Sequence, residues 1–129
     1  MEKIKRFEDI IAWQKARVLT KEIYTATKLE GFAKDFGLRN QIQRAVVSTI
    51  SNIAEGYERG GDNEFGQFLS TSKGSCGEVK SQLYVALDQG YIAQGTFNKL
   101  YGKADEVGRL VFGFMTYLRE SQLRGRKYK

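Results

Sequence analysis

The densest polar cluster beside an apolar stripe is Asn52-Ile53-Ala54-Glu55-Gly56, followed by Tyr57-Glu58-Arg59. Asn52, Glu55 and Arg59 stand at i, i+3 and i+7, on one flank of a helix, where an amide, a carboxylate and a guanidinium can bond together. Two chemistries suit that set. Glu55 could act as a general base, or the residues could form a tie that fixes helix register, with Gly74-Ser75 and Glu78 of the next segment as its partners. The tie needs no substrate and is the preferred reading. Cys76 falls on an apolar stripe, where a cysteine acts as a small buried hydrophobe rather than a nucleophile. The chain has no histidine and no second cysteine, so it cannot build a Cys/His zinc site, a Ser-His-Asp triad, a Cys-His dyad or an intramolecular disulfide. Gly60-Gly61 lacks the Lys-Ser/Thr ending of a phosphate loop and reads as a turn. No catalytic residue, metal or cofactor is expected.

Charge offers the other possible chemistry. The formal charge is +6, and it lies in two terminal segments. Residues 1–6 hold Lys3, Lys5 and Arg6 against Glu2, and residues 119–129 hold Arg119, Arg124, Arg126, Lys127 and Lys129 against Glu120. Between them, 13 basic side chains face 13 acidic ones. The last six residues alternate cations with a glycine and Tyr128, a composition that suits phosphate backbones and base stacking. Lys3, Lys5, Arg6, Arg124, Arg126, Lys127 and Lys129 are therefore the expected nucleic-acid contacts.

These residues must be carried by helices. The 129 residues make one domain, and they include no proline, as long uninterrupted helices would require. Apolar spacing predicts helices at approximately 7–29, 36–59, 62–89 and 94–122, followed by a basic tail over 123–129. Asp35 is the expected cap of the second helix and Gly60-Gly61 its stop; Asp62 or Asn63 is expected to cap the third, and Gly90 to end it. Four helices with short loops predict an all-α, antiparallel up-down bundle. Two features point to a further buried surface. Ser70, Gly74, Gly77 and Ser81 form a groove of small residues on the third helix, and Leu110, Phe112 and Tyr117 widen the apolar arc of the fourth beyond one interface. No segment is apolar enough to span a membrane, and Met1–Arg6 lack a signal peptide's apolar stretch, so a cytoplasmic address is expected.

Several motifs together resemble the bacterial four-helix bundle proteins encoded in the intervening sequences of 23S ribosomal RNA. Phe7-Glu8-Asp9-Ile10 with Trp13-Gln14-Lys15-Ala16 looks like the family's opening, and Leu38 to Ala45 looks like its second-helix start. Ser48, Asn52 to Gly56 and Arg59 match its most distinctive motif; Phe65, Phe68-Leu69, Gly74-Ser75 and Glu78 match its third helix. The chain departs from the pattern in carrying Phe32-Ala33-Lys34 where a proline is usual, and Gly61-Asp62 near a usual serine. The resemblance implies a ring-like homo-oligomer, often a pentamer, without catalytic activity, akin to the nucleic-acid-binding and reverse-transcriptase-binding accessory proteins of diversity-generating retroelements. The expected function is thus a non-enzymatic oligomeric adaptor that binds RNA or DNA. The alternative is a protein-interaction module in which the fourth helix docks a partner.

Overall fold

The computed structural model describes residues 4–127, with side chains described as far as Leu123. A 3-10 turn over Phe7–Asp9 leads into α1 (Ile11–Ala26), α2 (Glu30–Lys34), α3 (Phe36–Arg59), α4 (Asp62–Asp88) and α5 (Gln94–Lys127). The fold is an all-α helical bundle with no strand among the described residues. One apolar core joins Leu19 and Ile23 of α1, Ile42 and Ile53 of α3, Leu69 and Leu83 of α4, and Val107 and Val111 of α5. Each such side chain contributes about 1.5–3 kcal/mol by leaving water. No helix among the described residues is long and apolar enough to cross a membrane.

The opening differs from the single helix expected over 7–29. Ile10 is extended (φ −77°, ψ 121°) and buried, and its N–H closes the preceding turn on Phe7 O. The side chain of Gln14 donates to Glu8 O at 2.8 Å, tying that turn to α1, and Phe7 meets Trp13 edge-on. Burying Ile10 together with the Phe7–Trp13 pair outweighs the continuity of the helix.

Residues 30–34, expected to be only a break, form α2. Its Phe32 is fully buried and stacks on Tyr91 at 5.6 Å, and a Cβ added at Gly31 would lie 2.9 Å from the same tyrosine ring. Asp35 caps α3 as expected: it accepts from Leu38 N–H at 3.0 Å and also from the Tyr91 hydroxyl at 2.9 Å. These two donors, the backbone N–H first, hold the Asp35 carboxyl below its ordinary range.

Gly60 ends α3 in the left-handed region (φ 86°). The cap of α4 is Gly61, which offers no side-chain bond, so neither Asp62 nor Asn63 has the expected role. Asp62 and Glu64 instead sit inside the first turn, where carboxylates favour the positive helix end. The side chain of Asn63 accepts from Gln122 at 2.8 Å, which fastens the far end of α5. Gly90 (φ 75°) ends α4 with paired bonds, Gly90 N–H to Leu87 O and Tyr91 N–H to Ala86 O, the pattern of a left-handed helix stop. The helix α5 runs to Lys127, past the boundary expected near 122, so most of the anticipated tail is helical.

Candidate interaction surfaces

The motif Asn52 to Arg59 separates into three devices. Asn52 does not join Glu55 or Arg59; its amide donates to the carbonyl and hydroxyl of Ser48, at 2.8 and 3.0 Å. That hydroxyl also shares a hydrogen bond with Ser75 Oγ, 2.8 Å away on α4, in which either hydroxyl can donate. Beside this chain the buried Ser72 donates to Thr49 O at 2.6 Å. The expected bonding of Asn52 with Glu55 and Arg59 is therefore not formed; the bonds from Asn52 run through Ser48 to Ser75 instead. Glu55 and Arg59 form a separate surface ion pair at 2.9 Å, each about half exposed, and Arg59 also lies over the Phe68 ring. The Glu55 hydrogen bond raises the Arg59 guanidinium further. Gly56 is the third device: an added Cβ would lie 2.7 Å from Phe68 Cβ and 2.8 Å from Phe65 Cδ1, so α3 and α4 touch there backbone to side chain. Glu78 makes no bond in the tie; it borders a polar hollow between α3 and α4 together with Arg44, Ser48, Ser75 and Gln82.

Cys76 is buried as expected and donates to Ala104 O at 3.0 Å. Burial pushes its thiol up to about 11. Alkylation by iodoacetamide at neutral pH is therefore expected to be far slower in the native chain than in the unfolded one; equal rates would show that the site opens freely.

The expected nucleic-acid contacts are placed unevenly. Lys5 is exposed, and Arg6 is exposed but pairs with Asp9 at 3.6 Å. The residues Arg124, Arg126 and Lys127 belong to the last turns of α5, with side chains outside the described set, and Lys3 and Lys129 lie outside the described residues. Ile4 and Tyr117 line one cavity, so Ile4 and the later turns of α5 lie at the same end of the bundle. That end also carries Glu58 and Asp62, which border a second hollow with Tyr117.

Elsewhere Lys34, Arg59, Lys80, Lys99, Lys103 and Arg109 are paired. Glu22 of α1 meets Lys99 at 2.8 Å and Lys103 at 3.3 Å on α5. Burial raises the Glu22 carboxyl, but the two lysines outweigh it and leave it lowered. Asp105 holds Lys80 at 3.0 Å and Arg109 at 3.2 Å, and the Lys80 hydrogen bond lowers it. Each lowered carboxylate stabilises the fold above its unfolded pKa and loses that contribution as pH falls through its folded value. Thermal scans should thus show Tm steady near neutrality and dropping below about pH 4, the ordinary carboxylate range. For the raised Cys76 the sign reverses: its contribution is complete below 9.0, the ordinary thiol value, and is lost as pH rises through about 11. A Tm unchanged down to pH 2 would contradict the acidic arm.

The small-residue groove and the broad apolar arc are both open. Ser70, Gly74, Gly77 and Ser81 are exposed on an unbroken α4, and a Cβ at Gly74 or Gly77 would meet nothing within 4 Å. Phe112 is 51% and Tyr117 40% exposed. A cavity of about 740 Å³ runs between the N-terminal turn and α5, lined by Ile4, Ile11, Leu110, Phe114 and Tyr117 among others. A shallower groove of about 490 Å³ lies between α4 and α5, floored by Gly77, Gly108 and Gly113, with Lys73 over Phe112 at its rim. Among the described residues no cluster of three or more metal-ligating side chains occurs.

The chain matches no curated protein. Among solved structures it is similar to a protein of unknown function from the S23 ribosomal protein family of Bacteroides thetaiotaomicron VPI-5482. The two are 19% identical over 82% of this chain and 96% of that one, with a TM-score of 0.76, a likeness of fold. The sequence model of the 23S rRNA-intervening sequence proteins matches residues 8–113, from the 3-10 turn through the motifs of α3 and α4 into α5, and stops short of both basic ends. A match over most of its length, on the segments that build the bundle, means that the chain belongs to the 23S rRNA-intervening sequence protein family.

Proposed function

We propose that this chain is a non-enzymatic cytoplasmic adaptor that self-associates and holds RNA or DNA on basic surfaces. The observation that carries the reading is the charge excess of +2 over residues 1–6 and +4 over residues 119–129. Together they form the largest cationic excess in the sequence, and such an excess attracts polyanions irrespective of sequence. An antiparallel, up-and-down order is supported by the contact pairs: Thr49 with Ser72 and Gly56 with Phe68 between α3 and α4, Cys76 with Ala104 between α4 and α5. Self-association into a ring-like homo-oligomer, a pentamer by family resemblance, is supported by the open glycine groove of α4 and the exposed Phe112 and Tyr117 of α5.

The second reading, a protein-interaction module, is favoured by the apolar cavity on α5. Native mass spectrometry of the full chain with and without single-stranded RNA separates the two. The adaptor reading expects multimers that retain RNA at low ionic strength. Multimers that never take RNA would favour the interaction module, and a monomer that takes none would remove both the assembly and the nucleic-acid role.

A further inference from the structure

The balance of 13 cations against 13 anions between the ends conceals a segregation that the fold creates. Arg17, Lys21 and Tyr24 stand at i, i+4 and i+7 on α1, and Lys28 follows on the turn that closes it; all four are exposed. This flank points away from α5, because Glu22, which meets Lys99 and Lys103 of α5, lies on the other side of the α1 core stripe. It borders α3 instead, where Gln43 donates to Thr27 at 3.0 Å. Of the α3 residues on the side of Gln43, Asn40 and Val47 are uncharged and exposed, and Arg39 is a half-buried cation. Between Asp35 and Glu55 α3 has no carboxylate. The next acid in sequence beyond the stripe, Glu30, is engaged by Lys34 at 3.5 Å. Among the described residues Arg17, Lys21 and Lys28 form no ion pair, whereas the basic end of the bundle shares its surface with Glu58 and Asp62.

Like charges in a row repel and contribute nothing to the fold. Here the row runs about 16 Å along the helix at 1.5 Å per residue, with a stackable ring between its cations. Arg17 is braced over the Trp13 ring at 5.9 Å, which fixes its guanidinium at the surface. The geometry points to a phosphate track: Arg17, Lys21 and Lys28 on the α1–α3 face hold the backbone of a single-stranded nucleic acid, with Tyr24 placed to stack on a base. This rests on the nucleic-acid reading above and moves its main contacts from the chain ends to the first helix.

The test is fluorescence anisotropy of a labelled oligouridine against full-length chains across a salt series. The stripe variant Arg17→Gln/Lys21→Gln/Lys28→Gln is compared with a charge-matched control, Lys15→Gln/Lys34→Gln/Arg44→Gln, in which three exposed cations outside the stripe are removed. Circular dichroism checks that both remain helical. At about 0.7 per neutralised phosphate on a single strand, the stripe variant should reduce the log–log salt slope by about 2, and the control by no more than about 0.7. Equal reductions would mean that only net charge matters, and an unchanged slope in the stripe variant would place the contacts at the chain ends; either overturns the track while leaving the nucleic-acid reading in place. Failure of the unaltered chain to bind at the lowest salt overturns both.

Discussion

Replacing Phe32 with alanine is expected to lower stability by about 3–5 kcal/mol, the range for truncating a fully buried phenylalanine. The side chain is inaccessible to water and stacks on Tyr91, whose hydroxyl in turn donates to Asp35. A five-residue helix cannot support itself, since nucleation costs more than one or two turns return, so α2 persists only because Phe32 anchors it. Removing the ring leaves a cavity beneath α2 and frees Tyr91 to move. Urea denaturation measures the loss, and native-state hydrogen exchange should show the 30–38 segment opening first. A loss below about 1 kcal/mol would mean that the segment can collapse onto the gap.

Gly56→Val is expected to cost about 3 kcal/mol, at the upper end of overpacking penalties. The Cβ alone would approach Phe68 Cβ to 2.7 Å, and that atom is fixed to the α4 backbone and cannot swing aside. Phe65, the second obstacle, is wedged between Tyr57 and Phe114 at ring separations of 6.1 and 5.2 Å. Relief must come from parting α3 and α4, which also stretches the Ser72–Thr49 and Ser48–Ser75 bonds further along the same interface. Valine is a better helix former than glycine by a few tenths of a kcal/mol, a gain too small to offset the clash. Equilibrium denaturation of the variant provides the check. A stability within about 0.5 kcal/mol of the parent, the range of ordinary surface changes, would show that the two helices are not locked at Gly56.

Much of the bundle was legible because helix periodicity is a local signal. The buried stripe of α1 (Ala12, Ala16, Leu19, Ile23, Ala26) follows directly from spacing, as do the Asp35 cap, the Gly60 stop and the Gly90 stop. What escaped depends on partners distant in sequence. A lone phenylalanine between Gly31 and Lys34 has no periodicity, and it gains a helix around it only because Tyr91, far along the chain, supplies the packing surface. The helical flank containing Asn52, Glu55 and Arg59 was legible, but a wheel does not show that Ser75 lies opposite Ser48, so the amide was matched to the wrong partners. Gly61 took the capping position because it precedes Asp62 in an extended conformation, leaving the acidic residues inside the turn. Charge shows the same limit. A neutral sum over residues 7–118 contains both the Glu22–Lys99–Lys103 cluster and an unpaired cationic flank, and only the packing of α1 between α3 and α5 separates them.

The Asn52–Ser48–Ser75 chain and the Glu55–Arg59 pair bear on function by what they occupy. The first spends its hydrogen bonds on joining two helices, and the second is an exposed i,i+4 pair of the kind that adds little to stability. The surfaces left open among the described residues are an apolar arc on α5, a glycine groove on α4 and cations on α1. The proposed self-association and polyanion binding rest on those surfaces.

The most direct test of that account is the salt dependence of RNA binding by the unaltered full-length chain. It predicts binding at low salt that weakens with a log–log slope steeper than about −2, as release of counterions from several phosphates at about 0.7 each on a single strand requires. No binding at the lowest salt, or binding that salt leaves unchanged, would contradict it.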